Sequence, residues 1–252
     1  LYKSRQAIKG KAFIHEPYDI PTEFSDTAFL ADRAIKDLLL EKNSFFNHIS
    51  FLKPHPPFHV AEPWFSQVNP DDIDLPVANN SLDELSDRHP LLKELSKKFQ
   101  NEKNFTEMRF SELTEKDIKN IKSVYFGMCA EVDHNIGKIL NALETSDQIN
   151  NTMIIFTSDH GEMLGENNLW GKLGWWDSSY RIPLIIHVPG QQHTFVNDMT
   201  ESVDLAPTIL DWLGAEIPLD WNGRSLLKYV KNQKNEIPPK DYVVFDYDFR
   251  EW

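Results

Sequence analysis

A single cysteine, Cys129, in 252 residues excludes an internal disulfide framework. It sits among Val124, Tyr125, Met128 and Val132, the company of a core thiol rather than of a nucleophile. Positive charge is scarce too. The 26 Lys and Arg stand against 39 Asp and Glu, a formal net charge of -13. Gripping a nucleic-acid backbone takes clustered Lys and Arg, so no nucleic-acid partner is expected. An anionic ligand would be repelled at long range and must be held by local positive charge, from a metal and a few basic side chains. No apolar run approaches the roughly 20 residues of a membrane span, and no membrane partner is expected. There is no internal repeat and no low-complexity tract. Leu1 and Trp252 form no recognisable termini, so a missing leader says nothing about the parent protein.

What the chain does have is 40% hydrophobic and 12% aromatic residues, enough at this length for one large α/β domain with a substantial core. Its most informative stretch runs from Thr152 to Lys172. Residues 152–157 are a short, β-branched, apolar run, the pattern of a strand buried on both faces. Ser158, Asp159, His160 and Gly161 then replace apolar side chains abruptly. In open α/β sheets, ligands bind at the carboxyl ends of strands. An Asp oxygen and an imidazole nitrogen placed there are a usual pair for a divalent cation. Gly161 lets the backbone turn without a Cβ clash. Taken alone, the pair also reads as a strand-end cap beside a surface histidine.

The rest of the chain supplies alternating elements. Residues 1–11 read as an extended lead-in. Ser25 or Asp26 caps a helix to about Glu41, with Phe29, Leu30, Ala34, Leu38 and Leu39 as its apolar face. Residues 45–52 read as a strand that stops at Pro54, His55, Pro56 and Pro57, where proline forbids further pairing. Residues 61–112 form a long excursion, with one short helix at 89–99. Thr114 and Asp117 resemble a capping box. The helix behind it carries Ile118, Ile121, Tyr125, Met128, Val132, Ile136, Ile139 and Leu143 in one stripe, and should cover a sheet face. His134 reads as solvated and Asp133 as a structural hydrogen-bonding group. Lys172 lies in a loop rich in Trp and Gly. Residues 181–188 form another strand. Asp204 is a good N-cap for a helix ending at Gly214, with Pro207 tolerated in its first turn. Residues 220–229 read as loop and a short helix, and 242–247 as a last strand. Strands alternating with helices predict a mainly parallel sheet sandwiched between helices.

Several of these stretches carry a resemblance. Ser158 to Gly165 reads SDHGEMLG; it is followed by Gly171-Lys172 and by Ser179 to Ile186, SYRIPLII. Together they resemble the sulfatase branch of the alkaline-phosphatase superfamily, most closely bacterial phosphonate monoester hydrolases and arylsulfatases. Phe51 to Phe58, with its Pro-His-Pro-Pro core, is similar to a family segment. So are Glu131-Val132-Asp133 with Ile136-Gly137, Thr200 to Gly214, and Asp246 to Arg250. The resemblance spans nearly the whole chain in the family's order. It implies an alkaline-phosphatase-like three-layer α/β/α sandwich with a mainly parallel central sheet, present here as a partial catalytic domain over residues 1–252 and truncated at both ends.

The resemblance also implies hydrolysis of sulfate, phosphonate or phosphate esters through a covalent intermediate. The family's nucleophile is a formylglycine made from the Cys of a Cys-x-Pro-Ser-Arg motif, activated by one divalent metal ion, here manganese, zinc or calcium. Carried over, Asp159 and His160 are metal ligands, while His55 and Lys172 contact oxygens of a small anionic ester substrate. His55 is in place to hand a proton to the leaving group. No Cys-x-Pro-Ser-Arg occurs, and the acidic pair that precedes the nucleophile is absent. The chain by itself is therefore expected to be catalytically silent, with an incomplete metal site. It is also expected to self-associate through unpaired strand edges, and to be cytoplasmic. Two alternatives stand beside this reading: a superfamily phosphotransferase or phosphomutase, and a nonenzymatic fragment that binds a partner.

Overall fold

The computed structural model describes residues 16–77, 84, 87, 89–94, 113–172, 175–231, 233 and 240–245. The lead-in at 1–11, the excursion's aromatics Phe99, Phe105 and Phe110, and the segment 246–250 lie outside the described residues, as does much of the helix at 89–99. The chain divides into two compact units. One holds Leu1–Asp147 and Glu162–Ser179, the other Gln148–Gly161 and Tyr180–Trp252.

In the first unit, α1 (Asp26–Leu40) starts where the Ser25 hydroxyl accepts a hydrogen bond from the Ala28 amide at 3.0 Å. Its buried side is Thr27, Ala28, Ala31, Ala34 and Leu38, while Phe29 and Leu39 stay exposed. The expected apolar face therefore holds only at Ala34 and Leu38. Small side chains, not the largest ones, turn inward because α1 packs against a second helix.

That helix is α2 (Glu115–Thr145), opened by a reciprocal capping box. Thr114 Oγ1 accepts from the Asp117 amide, and Asp117 Oδ2 accepts from the Thr114 amide at 2.9 Å. Ile121, Val124, Met128, Ile139 and Leu143 are buried, whereas Tyr125, Val132 and Ile136 are half-buried. Three polar residues, Ser123, Glu131 and Asn135, are buried on the same helix. A Cβ on Gly127 would meet the Trp64 carbonyl oxygen at 2.3 Å, so only glycine admits that loop so close.

α2 was expected to cover a sheet; within its unit it packs on α1 and on a core of loop side chains. Phe58, Val60, Met163, Leu169 and Trp170 join Ile121, Val124 and Met128 there. Residues 45–52 form no strand. Phe46, Asn47, His48 and Ser50 are exposed, and no ladder partner lies beside them among the described residues. A short α3 (Asp177–Tyr180) closes the second part of this unit.

In the second unit, β1 (Ile154–Thr157) pairs with β2 (Leu184–His187). The pairing is antiparallel, with Ile155 opposite Ile186 and Phe156 opposite Ile185. The mainly parallel sheet is thus not what the described strands form. Nor is β1 buried on both faces: Phe156 is 38% and Ile185 62% exposed. With one hydrogen-bonded neighbour and no second layer on that side among the described residues of this unit, both side chains face outward.

α4 (Leu205–Trp212) follows a 3-10 turn, Ser202–Asp204. The Asp204 side chain does not cap α4, as its sequence position suggested. Fully buried, it instead accepts from the Glu201 amide, from the Arg224 amide and, with both oxygens, from the Lys240 ammonium, all at 2.9–3.0 Å. α4 ends as expected at Gly214, whose φ of +68° suits glycine. α5 (Leu227–Val230) follows. Residues 242–245 form no strand; the Val244 amide donates to Glu201 Oε1 at 2.9 Å instead of to a ladder.

Candidate active site

The turn after β1 is held by one bond across to β2 and by bonds within the turn itself. Thr157 Oγ1 donates to the Pro183 carbonyl at 2.9 Å, across to the chain entering β2. Ser158 Oγ donates to the His160 carbonyl at 2.7 Å, and the His160 amide donates to Asp159 Oδ1 at 3.0 Å. His160 Nδ1 lies 2.8 Å from the Gly161 carbonyl oxygen. A carbonyl can only accept, so Nδ1 carries a proton, and in the neutral ring Nε2 is the acceptor. That nitrogen stands 3.4 Å from Asp159 Oδ2.

In that neutral state two acceptors face one another on a solvent-accessible turn, with the Asp159 side chain 83% exposed and that of His160 27%. A divalent cation or a proton on Nε2 would each relieve that opposition. The donor set, one carboxylate oxygen and one imidazole nitrogen, fits a transition-metal dication. It is also half a shell: among the described residues no group of three or more His, Cys, Asp or Glu converges.

His55 lies in the first unit, on the proline-bounded turn. Its amide donates to the Leu52 carbonyl at 3.0 Å. Its ring Nδ1 approaches the Pro56 carbonyl at 2.7 Å, so Nε2 is the nitrogen left to exchange a proton. The ring is exposed. Two residues earlier, the Lys53 ammonium is ion-paired with Glu131 Oε2 of α2, their side chains 12% and 0% exposed. Nearby His59 is pushed below its ordinary pKa, first by burial and then by the Lys53 charge.

Lys172, also in the first unit, is exposed at the end of a tight loop. The Met163 amide donates to the Gly171 carbonyl at 2.9 Å. In return the Gly171 amide donates to Glu162 Oε1 at 2.6 Å, and the Leu164 amide reaches the same oxygen at 3.3 Å. Leu169 and Trp170, buried in the core, anchor the other side of this loop.

Cys129 behaves as the core thiol expected. Burial pushes its pKa up to about 11, which keeps it protonated and a poor nucleophile. His134 is exposed as expected, its ring 5.1 Å from that of Trp64. Asp133 is exposed as well.

Asp159 and His160 thus meet on one turn of the second unit, and His55 and Lys172 occupy separate loops of the first. Sequence reasoning missed Lys53, Glu131 and Glu162. Two of them left a signal. Glu131 falls on the apolar stripe of α2, three residues after Met128, where a solvated carboxylate has no place. Lys53 directly precedes the proline turn that carries His55.

The chain is similar to several known proteins. The sulfatase family profile matches residues 3–215. The multifunctional alkaline phosphatase superfamily protein PehA of Trinickia caryophylli is 35% identical over 245 residues, covering 94% of this chain and 47% of that protein. Arylsulfatase K of Canis lupus familiaris is 32% identical over 214 residues, covering 78% and 38%. Among solved structures, phosphonate monoester hydrolase SpPMH from Silicibacter pomeroyi superposes with a TM-score of 0.81 at 31% identity, over 96% of this chain and 51% of that one. The phosphonate monoester hydrolase of Agrobacterium radiobacter gives 0.79 at 32%, over 91% and 46%. The chain spans about half the length of these relatives or less.

Proposed function

The chain belongs to the sulfatase family of the alkaline-phosphatase superfamily, and on that premise we propose that its full-length gene product is a metal-dependent hydrolase of sulfate, phosphonate or phosphate esters. The observation that carries this reading is the Asp159–His160 turn, where a carboxylate oxygen and an imidazole nitrogen lie 3.4 Å apart. Asp159 and His160 would hold the ion. When bound, a divalent cation supplies charge neutralisation to the anionic ester and lowers the pKa of a coordinated hydroxyl.

The chain's own residues do the rest. His55 Nε2, with Nδ1 committed to the Pro56 carbonyl, hands a proton to the departing oxygen. The Lys172 ammonium sits against nonbridging oxygens, where fixed positive charge favours the transition state over the ground state. The family's nucleophile, a formylglycine made from the Cys of Cys-x-Pro-Ser-Arg, has no counterpart among the residues of this chain. The chain alone is therefore silent. The names of its relatives, phosphonate monoester hydrolases and arylsulfatases, support this range of esters.

Purified full-length gene product, supplied with manganese or zinc, would be assayed against an aryl sulfate, a phosphonate monoester and a phosphodiester. Turnover of at least one, abolished by Asp159→Ala and by His160→Ala, is the expected result. Undiminished turnover in both variants would remove the metal turn from the mechanism.

A further inference from the structure

The Lys53–Glu131 pair is built unlike a stabilising salt bridge. Glu131 is completely buried, and its Oε1 has no hydrogen-bond partner among the described residues. Only Oε2 is engaged, by an ammonium that is itself 12% exposed. Burying two charges costs several kcal/mol per ion, and their attraction repays this only when the remaining lone pairs are satisfied. Here one carboxylate oxygen is left over. An apolar pair of similar volume would serve stability as well or better.

What the pair does accomplish is a long-range tether. Lys53 begins the turn that carries His55, and Glu131 sits in the middle of α2, 78 residues further along the chain. Few other bonds fix the turn: the His55 amide to Leu52, and the ring to the next residue's carbonyl. Both are local; just past the turn, Phe58 and Val60 are buried against α2 and fix the chain where it leaves. The ion pair fixes the chain where it enters the turn. Its directionality also fixes it in a way that apolar packing, which is not directional, does not.

We infer that Glu131 is a positioning residue for His55, acting through Lys53 to hold the proline turn on α2. The inference rests on the reading of His55 as the proton donor. It adds a buried carboxylate with no contact to substrate on which the rate nevertheless depends.

The test compares Glu131→Gln, the double variant Lys53→Met/Glu131→Leu, and His55→Ala in the full-length gene product. Glu131→Gln should lower kcat about 10- to 100-fold, the scale of a misplacement near 1 Å, with KM little changed. The double variant should recover the melting temperature but not kcat. In parallel, nuclear magnetic resonance of this chain would follow the His55 ring and amide signals. They should shift, with faster amide exchange, in both Glu131 variants while α2 signals stay put. This arm reads the turn directly and decides the matter where turnover is undetectable.

Recovery of kcat together with stability in the double variant would show a purely structural pair and overturn the inference. So would unmoved His55 signals. Full kcat in Glu131→Gln alongside a dead His55→Ala removes Glu131 from the mechanism and leaves His55 in it. Full kcat in His55→Ala removes both.

Discussion

Glu162 Oε1 receives the Gly171 amide at 2.6 Å, which ties the residue before Lys172 to the residue after Gly161. One carboxylate oxygen thus braces the lysine loop from the strand-end motif itself. Lys172 has an exposed side chain on a braced backbone, which is what a cation held out toward a ligand needs.

Removing the brace should be felt as lost stability. Glu162→Ala leaves the part-buried Gly171 amide without its acceptor, at a cost of about 1–3 kcal/mol. Glu162→Gln keeps a carbonyl oxygen in place and should lose less. Urea denaturation of the two variants gives the ranking, and the reverse order would mean that charge, not hydrogen bonding, is what matters there. Lys172→Ala should remove turnover in the full-length gene product.

The metal turn should be separable from folding. Asp159 is 83% exposed, so Asp159→Ala should change stability by no more than about 0.5 kcal/mol. Titration calorimetry with manganese or zinc should show weak binding by this chain and none by Asp159→Ala or His160→Ala. Equal metal affinity in all three proteins would place the ion elsewhere.

Acid should loosen the second unit by a defined route. The Lys240 hydrogen bond, at 2.5 Å, and then the Val244 amide hold the Glu201 carboxyl below its ordinary pKa. A depressed carboxylate contributes stability that is present above its unfolded pKa, about 4.3, and lost as pH falls through the folded value. The stability gap between wild type and Glu201→Gln should be open near pH 7 and close at lower pH. Lys240 has the opposite sign. Burial acts to lower its pKa, but hydrogen bonds to Glu201 and Asp204 outweigh that and raise it. Its contribution persists below its unfolded value and is lost as pH rises through the folded one. A gap that stays constant down to pH 3 would contradict the Glu201 assignment.

Cys129 should resist alkylation. In the folded chain the rate should climb with pH toward about 11, while the unfolded chain titrates near the ordinary thiol value of about 8.5. A rate already at plateau at neutral pH would mean a thiolate, and would reopen the question of a nucleophilic role.

The sequence by itself determined what is local. Ser25 and the Thr114–Asp117 box start their helices where the residues said they would, because a cap is settled within four residues. Gly214 ends α4 for the same reason. Within the Ser-Asp-His-Gly turn the bonds are equally local, since those among Ser158, Asp159, His160 and Gly161 each span at most three residues. Motif order along the chain carried the family. Tertiary structure decided everything that depends on what docks where. Phe29 and Leu39 lost the buried face of α1 to alanines because a second helix lies against it. β1 paired antiparallel with β2, and residues 45–52 found no strand partner among the described residues, because a strand exists only by virtue of its neighbour. Glu131 and Lys53, 78 residues apart, became partners only once α2 and the His55 turn were brought together. No spacing rule reaches that far, because a buried charge finds its counter-ion in space and not along the chain.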